Sequence, residues 1–196
     1  MTLFKKPLSV SARVGLTAFV WTVAAGVAWA AMTWKMDPAA SKLAFVGKQA
    51  GATFEGRFEK FTADVRFDPK DLAGSRFDVR IDLTSVNSKD KERDDTLRGE
   101  DLFDVKRWPT SHYVAETFSQ KGPGKFAATG KLTLRDVTRD VPIEFTFETD
   151  AQGKASWLKG TAQVKRLDFG VGQGEWKDTE WVDNDVRVDF ALKLTQ

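Results

Sequence analysis

Apolar and polar residues alternate with a period of two along most of this chain, which is typical of β-strands buried on one face. In the clearest run, charged residues separate four apolar ones: Phe77, Val79, Ile81 and Leu83. Further alternating runs cover residues 61–67, 126–134, 141–147 and 186–194, and weaker runs cover residues 42–48, 110–119 and 157–169. The pattern predicts an all-β domain of about eight strands, arranged as an antiparallel barrel or sandwich.

One polar stretch, residues 88–104, departs from this alternation and contains few apolar residues. Ser88 can cap the start of a helix, and Asp90 and Glu92 favour the positive end of a helix dipole. Gly99 indicates where that helix ends or bends. The sequence therefore predicts a short helical insertion midway through the β domain.

The first 30 residues follow the order of a secretory signal peptide, basic, then apolar, then small. The apolar part covers residues 14–25, and Ala28 and Ala30 supply small side chains at the −3 and −1 positions. Cleavage is predicted after Ala30, which leaves residues 31–196 as one domain.

The alternative for the N-terminus is an uncleaved membrane anchor. Residues 14–34 carry no charge and are about long enough to span a bilayer. Either interpretation places the domain across the membrane, in the periplasm or outside the cell. Membrane contact is then expected only for loading of a ligand, or through the retained segment.

Net charge argues against a nucleic-acid partner once the N-terminus is set aside. The chain has 30 basic and 28 acidic residues, a formal net charge of +2. Lys5, Lys6 and Arg13 belong to the predicted signal peptide, so 27 basic and 28 acidic residues remain, a net charge of −1. A basic face that would bind nucleic acid is not expected.

The counts of cysteine and histidine exclude several kinds of chemistry. The chain has no Cys and a single His, His112. Disulfides, Cys-ligated zinc, iron–sulfur clusters and thiol nucleophiles are excluded, and one imidazole cannot form a multi-His metal site. We predict no cofactor, no metal and no catalytic residue.

The residues predicted to point inward are rich in Phe and in β-branched side chains. A small closed sheet can fill its interior with side chains or hold one ligand, and this interior suits a long apolar ligand. The same composition is also that of an ordinary packed core. The candidate ligand-binding residues are Phe58, Phe61, Val65, Phe77, Val79, Ile81, Phe103, Trp108, Tyr113, Phe145, Phe147, Val188 and Phe190.

Three blocks of sequence resemble the YceI-like family of exported bacterial proteins. They are residues 93–110 (RDDTLRGEDLFDVKRWPT), 130–139 (GKLTLRDVTR) and 166–170 (RLDFG), and the likeness extends from about Trp34 to Leu194. The resemblance implies a lipocalin-like antiparallel β-barrel that holds an extended amphiphile. In that family the ligands are polyisoprenoid lipids, isoprenoid quinones or long-chain fatty-acid derivatives, and the proteins are generally not enzymes.

Five arginines are candidates for contact with a ligand head group: Arg57, Arg93, Arg135, Arg139 and Arg166. A phosphate favours bidentate guanidinium contacts, whereas a quinone or an amide needs only one or two hydrogen-bond donors. The same arginines are equally suited to salt bridges across strands. The sequence leaves the head group open.

Three other possibilities accompany the lipid-binding hypothesis. Carboxylates in residues 94–104 could serve a periplasmic hydrolase, although caps and ion pairs are their commoner roles. A solid core would instead make the domain an interaction module without a ligand. A homodimer is possible if the barrel leaves strand edges exposed.

The glycine-rich segment of residues 170–174 lacks the following helix of a nucleotide-binding loop, so we expect an ordinary loop there. Trp176 and Trp181 follow it. They are expected either to cover the mouth of the barrel or to anchor the loop.

Overall fold

The computed structural model describes residues 32–196, together with the isolated Thr2. The predicted signal peptide, its cleavage after Ala30 and the alternative anchor lie outside the described residues, and they remain predictions. Within residues 32–196, no helix has the length and apolar character that crossing a membrane requires.

The described residues form ten strands, one α-helix and three short 3-10 helices. The strands are β1 (Thr33–Gln49), β2 (Ala52–Phe58), β3 (Phe61–Arg66), β4 (Arg76–Asp82), β5 (Val86–Asn87), β6 (Thr110–Gly122), β7 (Lys125–Leu134), β8 (Val137–Thr149), β9 (Ala155–Lys165) and β10 (Asp185–Thr195). Helix α1 covers Lys91–Arg98, and the 3-10 helices cover Leu83–Ser85, Arg166–Phe169 and Gly174–Lys177.

Eight of these strands close into an antiparallel barrel, in the order β1-β3-β4-β6-β7-β8-β9-β10, with β10 paired to β1. Phe45 on β1 lies opposite Val188 on β10 in that closing pair. The predicted all-β fold, an antiparallel β-barrel of about eight strands with a short helical insertion, is thus confirmed. Strands β2 and β5 extend the wall beside the second half of β1, and the sequence did not predict them.

The antiparallel order places successive connections at alternate ends of the barrel. One end, called the packed end, carries the connections 67–75, 123–124 and 150–154. The opposite end, called the loop end, carries the turn at 50–51 and two long connections, 83–109 and 166–184. Helix α1 therefore lies at the loop end.

Aromatic rings fill the interior at the packed end. Phe67 is fully buried, and five Phe rings lie with centroids 4.8–5.8 Å from its own: Phe77, Phe118, Phe126, Phe145 and Phe147. Trp34 adds a ring 5.3 Å from Phe147 and donates its indole N–H to the carbonyl of Phe67 at 2.9 Å. Most of these pairs meet edge to face, which stabilises them beyond the area they bury.

Helix α1 begins after Asp90 and not after Ser88, so the predicted cap is wrong by two residues. The Asp90 carboxylate accepts a hydrogen bond from the backbone N–H of Arg93 at 3.1 Å. The backbone N–H of Ser88 donates instead to the Asp94 carboxylate at 2.7 Å. Gly99 ends the helix, as predicted.

We predict that Phe67→Ala lowers the free energy of unfolding by about 3–5 kcal/mol, because the substitution leaves a cavity among closely packed rings. Urea denaturation followed by circular dichroism measures the change. Phe61→Ala is the matched control, because Phe61 is only half-buried and lies outside this cluster. Equal losses in the two variants would contradict a filled packed end and a looser loop end.

Candidate functional site: the barrel cavity

A cavity of about 420 Å³ occupies the barrel interior beyond the aromatic cluster, toward the loop end. That volume falls within the range of about 300–1,000 Å³ that is usual for small-molecule sites. Val65 and Phe77 lie at its packed-end side, since Val65 is two residues before Phe67 and pairs with Phe77, whose ring lies 5.8 Å from that of Phe67. Val79 and Val188 point inward yet are only half-buried, because they face the cavity.

Most of the predicted ligand-binding residues line this cavity. They are Phe58, Phe61, Val65, Phe77, Val79, Ile81, Phe103, Tyr113, Val188 and Phe190. They come from β2, β3, β4, β6 and β10 and from the segment after α1. The alternation of apolar residues therefore identified the inner face of the strands correctly.

Three predicted residues lie away from the cavity. Phe145 and Phe147 are on the inner face of β8 but at the packed end, where their rings lie 5.4 and 4.8 Å from that of Phe67. Trp108 has two guanidinium groups over its ring, those of Arg107 at 4.4 Å and Arg135 at 4.7 Å from the centroid. Alternation predicts which face of the sheet a residue occupies. It does not predict whether the residue lies near the packed end or near the loop end of the barrel.

The sequence reasoning missed other lining residues. On strands these include Leu43, Phe45, Phe54, Leu132, Leu134, Val141, Ile143, Leu158, Ala162, Val164, Val186 and Leu192; outside the strands they include Leu83, Leu97, Leu102 and Val171. Those on strands share the same alternating signal. Leu97 belongs to helix α1 and Val171 to the connection 166–184, for which period-two alternation gives no indication.

Two aromatic rings near the mouth lie directly over glycines of the neighbouring strand. Phe45 on β1 lies opposite Gly56 on β2, and Phe54 on β2 lies opposite Gly47 on β1. A Cβ at Gly56 would lie 2.3 Å from the Phe45 ring, and one at Gly47 would lie 2.7 Å from the Phe54 ring. The glycines thus let both rings lie directly against the backbone of the neighbouring strand.

Tyr113 is a buried polar group in the lining. Its hydroxyl donates to the carbonyl of Val141 at 3.1 Å. Burial raises the pKa of the Tyr113 phenol above its ordinary value, so the group stays neutral at physiological pH. The phenol is therefore an uncharged part of a mostly apolar wall.

Arg166 lines the cavity, but its guanidinium is already bound to backbone carbonyls. It is 5% exposed and donates to the carbonyls of Val171, Trp176, Val182 and Asp183 at 2.6–3.0 Å. Within the described residues no carboxylate lies within 4.0 Å of it. Burial lowers the pKa of Arg166 from its ordinary value, although an arginine remains charged. This side chain holds the connection 166–184 on the loop end.

Arg93 is the other head-group candidate that reaches the cavity. Its guanidinium lies over the ring of Phe54, 4.7 Å from the centroid, and forms a salt bridge of 3.4 Å with Asp90. Because Arg93 belongs to α1, its guanidinium lies at the loop end of the cavity.

The remaining three arginines do not reach the cavity, which corrects their selection as head-group candidates. Arg57 and Arg139 are exposed on the outside, and Arg57 pairs with Glu59 at 2.8 Å. Arg135 donates to the carbonyls of Glu100 and Leu102 and thereby fastens the segment after α1. These arginines were selected by residue type alone. Arg57 and Arg139 are exposed to solvent, and Arg135 packs against a connection, so none of the three side chains reaches the cavity.

Carboxylates of residues 94–104 mainly stabilise local structure. Asp94 accepts the N–H of Ser88, and Asp104 pairs with Arg107. Asp95 pairs with Lys91, whose hydrogen bond lowers the pKa of that carboxyl. These contacts are the caps and ion pairs expected as the alternative to a hydrolase site. Among residues 32–196, no three His, Asp or Glu side chains are grouped as a metal site requires.

The two tryptophans of the connection 166–184 differ in position. Trp176 lines the cavity, whereas Trp181 is 51% exposed and does not. The backbone carbonyl of Trp181 accepts the N–H of Ala50, which ties this connection to the β1–β2 turn. One of the two indoles thus covers the cavity at the loop end.

His112 lies on the outer wall, where it hydrogen-bonds to Asp78 at 2.7 Å. Burial by itself raises the pKa of the Asp78 carboxyl. Hydrogen bonds from His112 and Arg76 outweigh burial, so the pKa lies below its ordinary value. The single histidine is thus part of a surface ion-pair network and lies outside the cavity.

Comparisons with known proteins agree with this architecture. A family model described as the YceI-like domain matches residues 34–194. A UPF0312 protein of Vibrio parahaemolyticus is 31% identical over 143 residues, covering 71% of this chain and 75% of that protein.

Two solved structures show the same fold. BcnA of Burkholderia cenocepacia is 36% identical with a TM-score of 0.78, covering 81% of this chain and 99% of that one. A polyisoprenoid binding domain from Saccharophagus degradans, implicated in plant cell wall breakdown, is 17% identical with a TM-score of 0.66. That match covers 84% of this chain and 98% of the other, and at this identity it shows the fold alone.

We predict that Arg166→Gln lowers the free energy of unfolding by about 2–3 kcal/mol, because it leaves buried carbonyls without donors. Hydrogen exchange should also accelerate at the amides of residues 171–183. Arg139→Gln is the control, because Arg139 is exposed on the outer wall. Unchanged exchange in the Arg166 variant would contradict its role in holding this connection.

We predict that Asp78→Asn lowers stability by about 1–2 kcal/mol at pH 7 and by much less near pH 3. The pKa of Asp78 is lower in the folded state than in the unfolded state. The stability that its ionised carboxylate contributes is therefore fully present above the unfolded pKa of about 4, and it is lost as the pH falls through the folded pKa. Thermal denaturation across pH measures the difference. Glu148→Gln, at an exposed carboxyl of the outer wall, is the control; an equal effect at both pH values would contradict the prediction.

Proposed function

This chain belongs to the YceI-like family, and we propose that it is an exported, non-enzymatic protein that holds an extended amphiphile in its barrel. The ligand would be a polyisoprenoid, an isoprenoid quinone or a fatty-acid derivative. The observation that carries the proposal is the cavity of about 420 Å³, with its apolar lining. The Saccharophagus degradans domain of the same fold is described as polyisoprenoid binding, which is consistent with such a ligand.

The lining favours a long apolar chain for an energetic reason. Each CH₂ group that leaves water contributes about 0.8 kcal/mol. A chain of some ten such groups gains roughly 8 kcal/mol, which is comparable with the cost of ordering a ligand on binding. Phe61, Val79 and Val188 are half-buried on the cavity wall, so a ligand would complete their burial.

The observations favour binding over the two alternatives. A solid core would bury the inner-face residues at the loop end as completely as Phe67 at the packed end, yet Val79, Ile81 and Phe190 are half-buried. Hydrolysis would require carboxylates of residues 94–104 in a cleft, but none of these acids lines the cavity, and those of Asp94, Asp95 and Asp104 are engaged in local hydrogen bonds and ion pairs.

The biological role that follows is carriage, storage or sequestration of a lipid outside the cytoplasm. Export rests on the signal peptide predicted from residues 1–30. Membrane contact would serve loading, and the homodimer suggested from the sequence remains a proposal.

The direct test is native mass spectrometry of the protein purified from its own host, followed by solvent extraction. We expect close to one lipid per chain, released as an isoprenoid or acyl compound. Protein that is consistently free of lipid, and that takes up no isoprenoid or fatty acid when these are supplied, would refute the proposal.

We predict that Val188→Trp reduces the lipid recovered to about a tenth or less, because the indole occupies the cavity. Arg187→Trp is the matched control: Arg187 is the preceding residue of β10, exposed on the outer wall, so the same side chain is added outside. Melting temperatures of the two variants serve to check that each remains folded. Equal lipid recovery in the two variants would place the ligand outside the barrel.

A further inference from the structure

Lysines surround a half-buried tryptophan on the outer wall of the barrel, where β9, β10 and β1 lie side by side. The ammonium groups of Lys159 on β9 and Lys193 on β10 lie over the Trp157 ring, 5.1 and 5.2 Å from its centroid, which is the geometry of a cation–π interaction. Lys42 on β1 adds a third, exposed lysine. These four residues form what we call the basic patch.

The register of the three strands places these side chains on one continuous surface. Ala191 of β10 lies between Lys42 of β1 and Lys159 of β9, and Lys193 lies opposite Trp157 in the next row. Alternate residues of the same strands line the cavity, so the basic patch faces outward. Neighbouring strands are about 5 Å apart, so the lysines of the patch can contact several groups of a flat partner at the same time.

The positive charges of the basic patch are not neutralised by carboxylates. Among the described residues, the lysines that form salt bridges are Lys48, Lys91 and Lys131, and none of them belongs to the patch. Two carboxylates lie beside it. That of Asp37 accepts the backbone N–H groups of residues 39 and 40, and Glu148 lies on β8, beyond the ring of the tryptophan. The ammonium groups over the ring repel each other, so a negatively charged surface would lower their free energy.

Charges on the wall formed by β4 and β6 are arranged differently, because they are paired with one another. Arg76 forms salt bridges with Asp78 and Glu116, and Arg80 lies 3.8 Å from Asp78. An anionic partner would have to compete with these carboxylates. Charge complementarity therefore favours the basic patch over the β4–β6 wall as the place where such a partner binds.

The tryptophan favours a membrane over a soluble polyanion as that partner. Trp and Lys are both suited to the interface of a bilayer, where the indole enters the head-group layer and the ammonium groups meet lipid phosphates. Each lysine close to an anionic membrane strengthens binding about fivefold. Trp157 is three residues beyond the connection 150–154, so the patch lies toward the packed end, and docking through it leaves the loop end of the cavity uncovered.

We propose that the basic patch is a docking surface for a membrane that contains anionic phospholipids. The lysines bind the phosphates of the lipid head groups, and the indole of Trp157 enters the layer between them. This proposal goes beyond the proposed function, because it concerns the outer wall and does not require a lipid in the cavity. Docking would hold the barrel at the membrane with which it exchanges its ligand.

The experiment measures binding of the protein, purified in soluble form as its host exports it, to two kinds of vesicle. One contains phosphatidylcholine alone, and the other contains phosphatidylcholine and phosphatidylglycerol in a ratio of about three to one. Co-sedimentation gives the bound fraction over a range of lipid concentrations. We expect binding to the anionic vesicles to be at least about tenfold tighter at low salt, with the difference reduced at high salt.

Variants identify the residues responsible. The double variant Lys159→Gln with Lys193→Gln should weaken binding to anionic vesicles about tenfold or more, and Trp157→Ala should weaken it several-fold even at high salt. The matched control is Lys121→Gln with Lys125→Gln, which removes the same charge from exposed positions at the β6–β7 turn and should change the affinity less than about twofold. Melting temperatures serve to check that each variant remains folded.

Three results would overturn the proposal. Equal binding to the two kinds of vesicle would show that anionic lipid is not recognised. Equal losses in the patch variant and in the control variant would show that binding follows net charge and not this surface. Binding to soluble polyglutamate as tight as binding to the anionic vesicles, with no effect of Trp157→Ala, would identify an acidic polymer as the partner in place of a membrane.

Native mass spectrometry of the same variants separates this proposal from the proposed function. The patch variants should carry as much lipid in the cavity as the unaltered protein, because their substitutions lie on the outer wall. Protein that docks on anionic vesicles but never carries lipid would refute the proposed function and support the docking surface. Protein that carries lipid but does not distinguish the vesicles would refute the docking surface alone.

Discussion

Pairing of the first strand with the last is the constraint on which the rest of this structure depends. Strand β1 meets β10 from Lys35 opposite Thr195 to Val46 opposite Arg187, with a bulge between Asp37 and Lys42. Within the bulge the hydroxyl of Ser41 accepts the N–H of Lys193 at 3.0 Å. Closure satisfies the backbone groups of both terminal strands, so the wall is stable without a completely filled interior.

The closed wall is then used differently at its two ends. At the packed end the rings around Phe67 occupy the interior, and at the loop end the wall surrounds the cavity. The two long connections at the loop end also contact each other, since the carbonyl of Asp101 accepts the N–H groups of Gly172 and Gln173. Arg166 adds the hydrogen bonds that hold the second connection. The strands thus supply most of the cavity wall, and the two long connections cover it at the loop end.

The sequence predicted this fold well and the candidate site only in part. Alternation located the barrel strands and the inner-face residues of β3 and β4, but β2 was missed because Gly56 interrupts its apolar face. Phe77 lines the cavity and Phe145 does not, although both have the same pattern and their rings lie 5.3 Å apart. Arginines were chosen by residue type alone, and only Arg93 and Arg166 reach the cavity.

What the sequence determined by itself was the β architecture, the inward face of each strand, the lack of cysteine chemistry and the resemblance to the YceI-like family. These are local properties, since the period of two and the residue counts need no knowledge of distant contacts. Only the tertiary structure decided where the interior is filled and which charges are engaged. Both depend on residues far apart in the chain, such as Arg93 over Phe54 and Arg166 on Val182, which the closed barrel brings together.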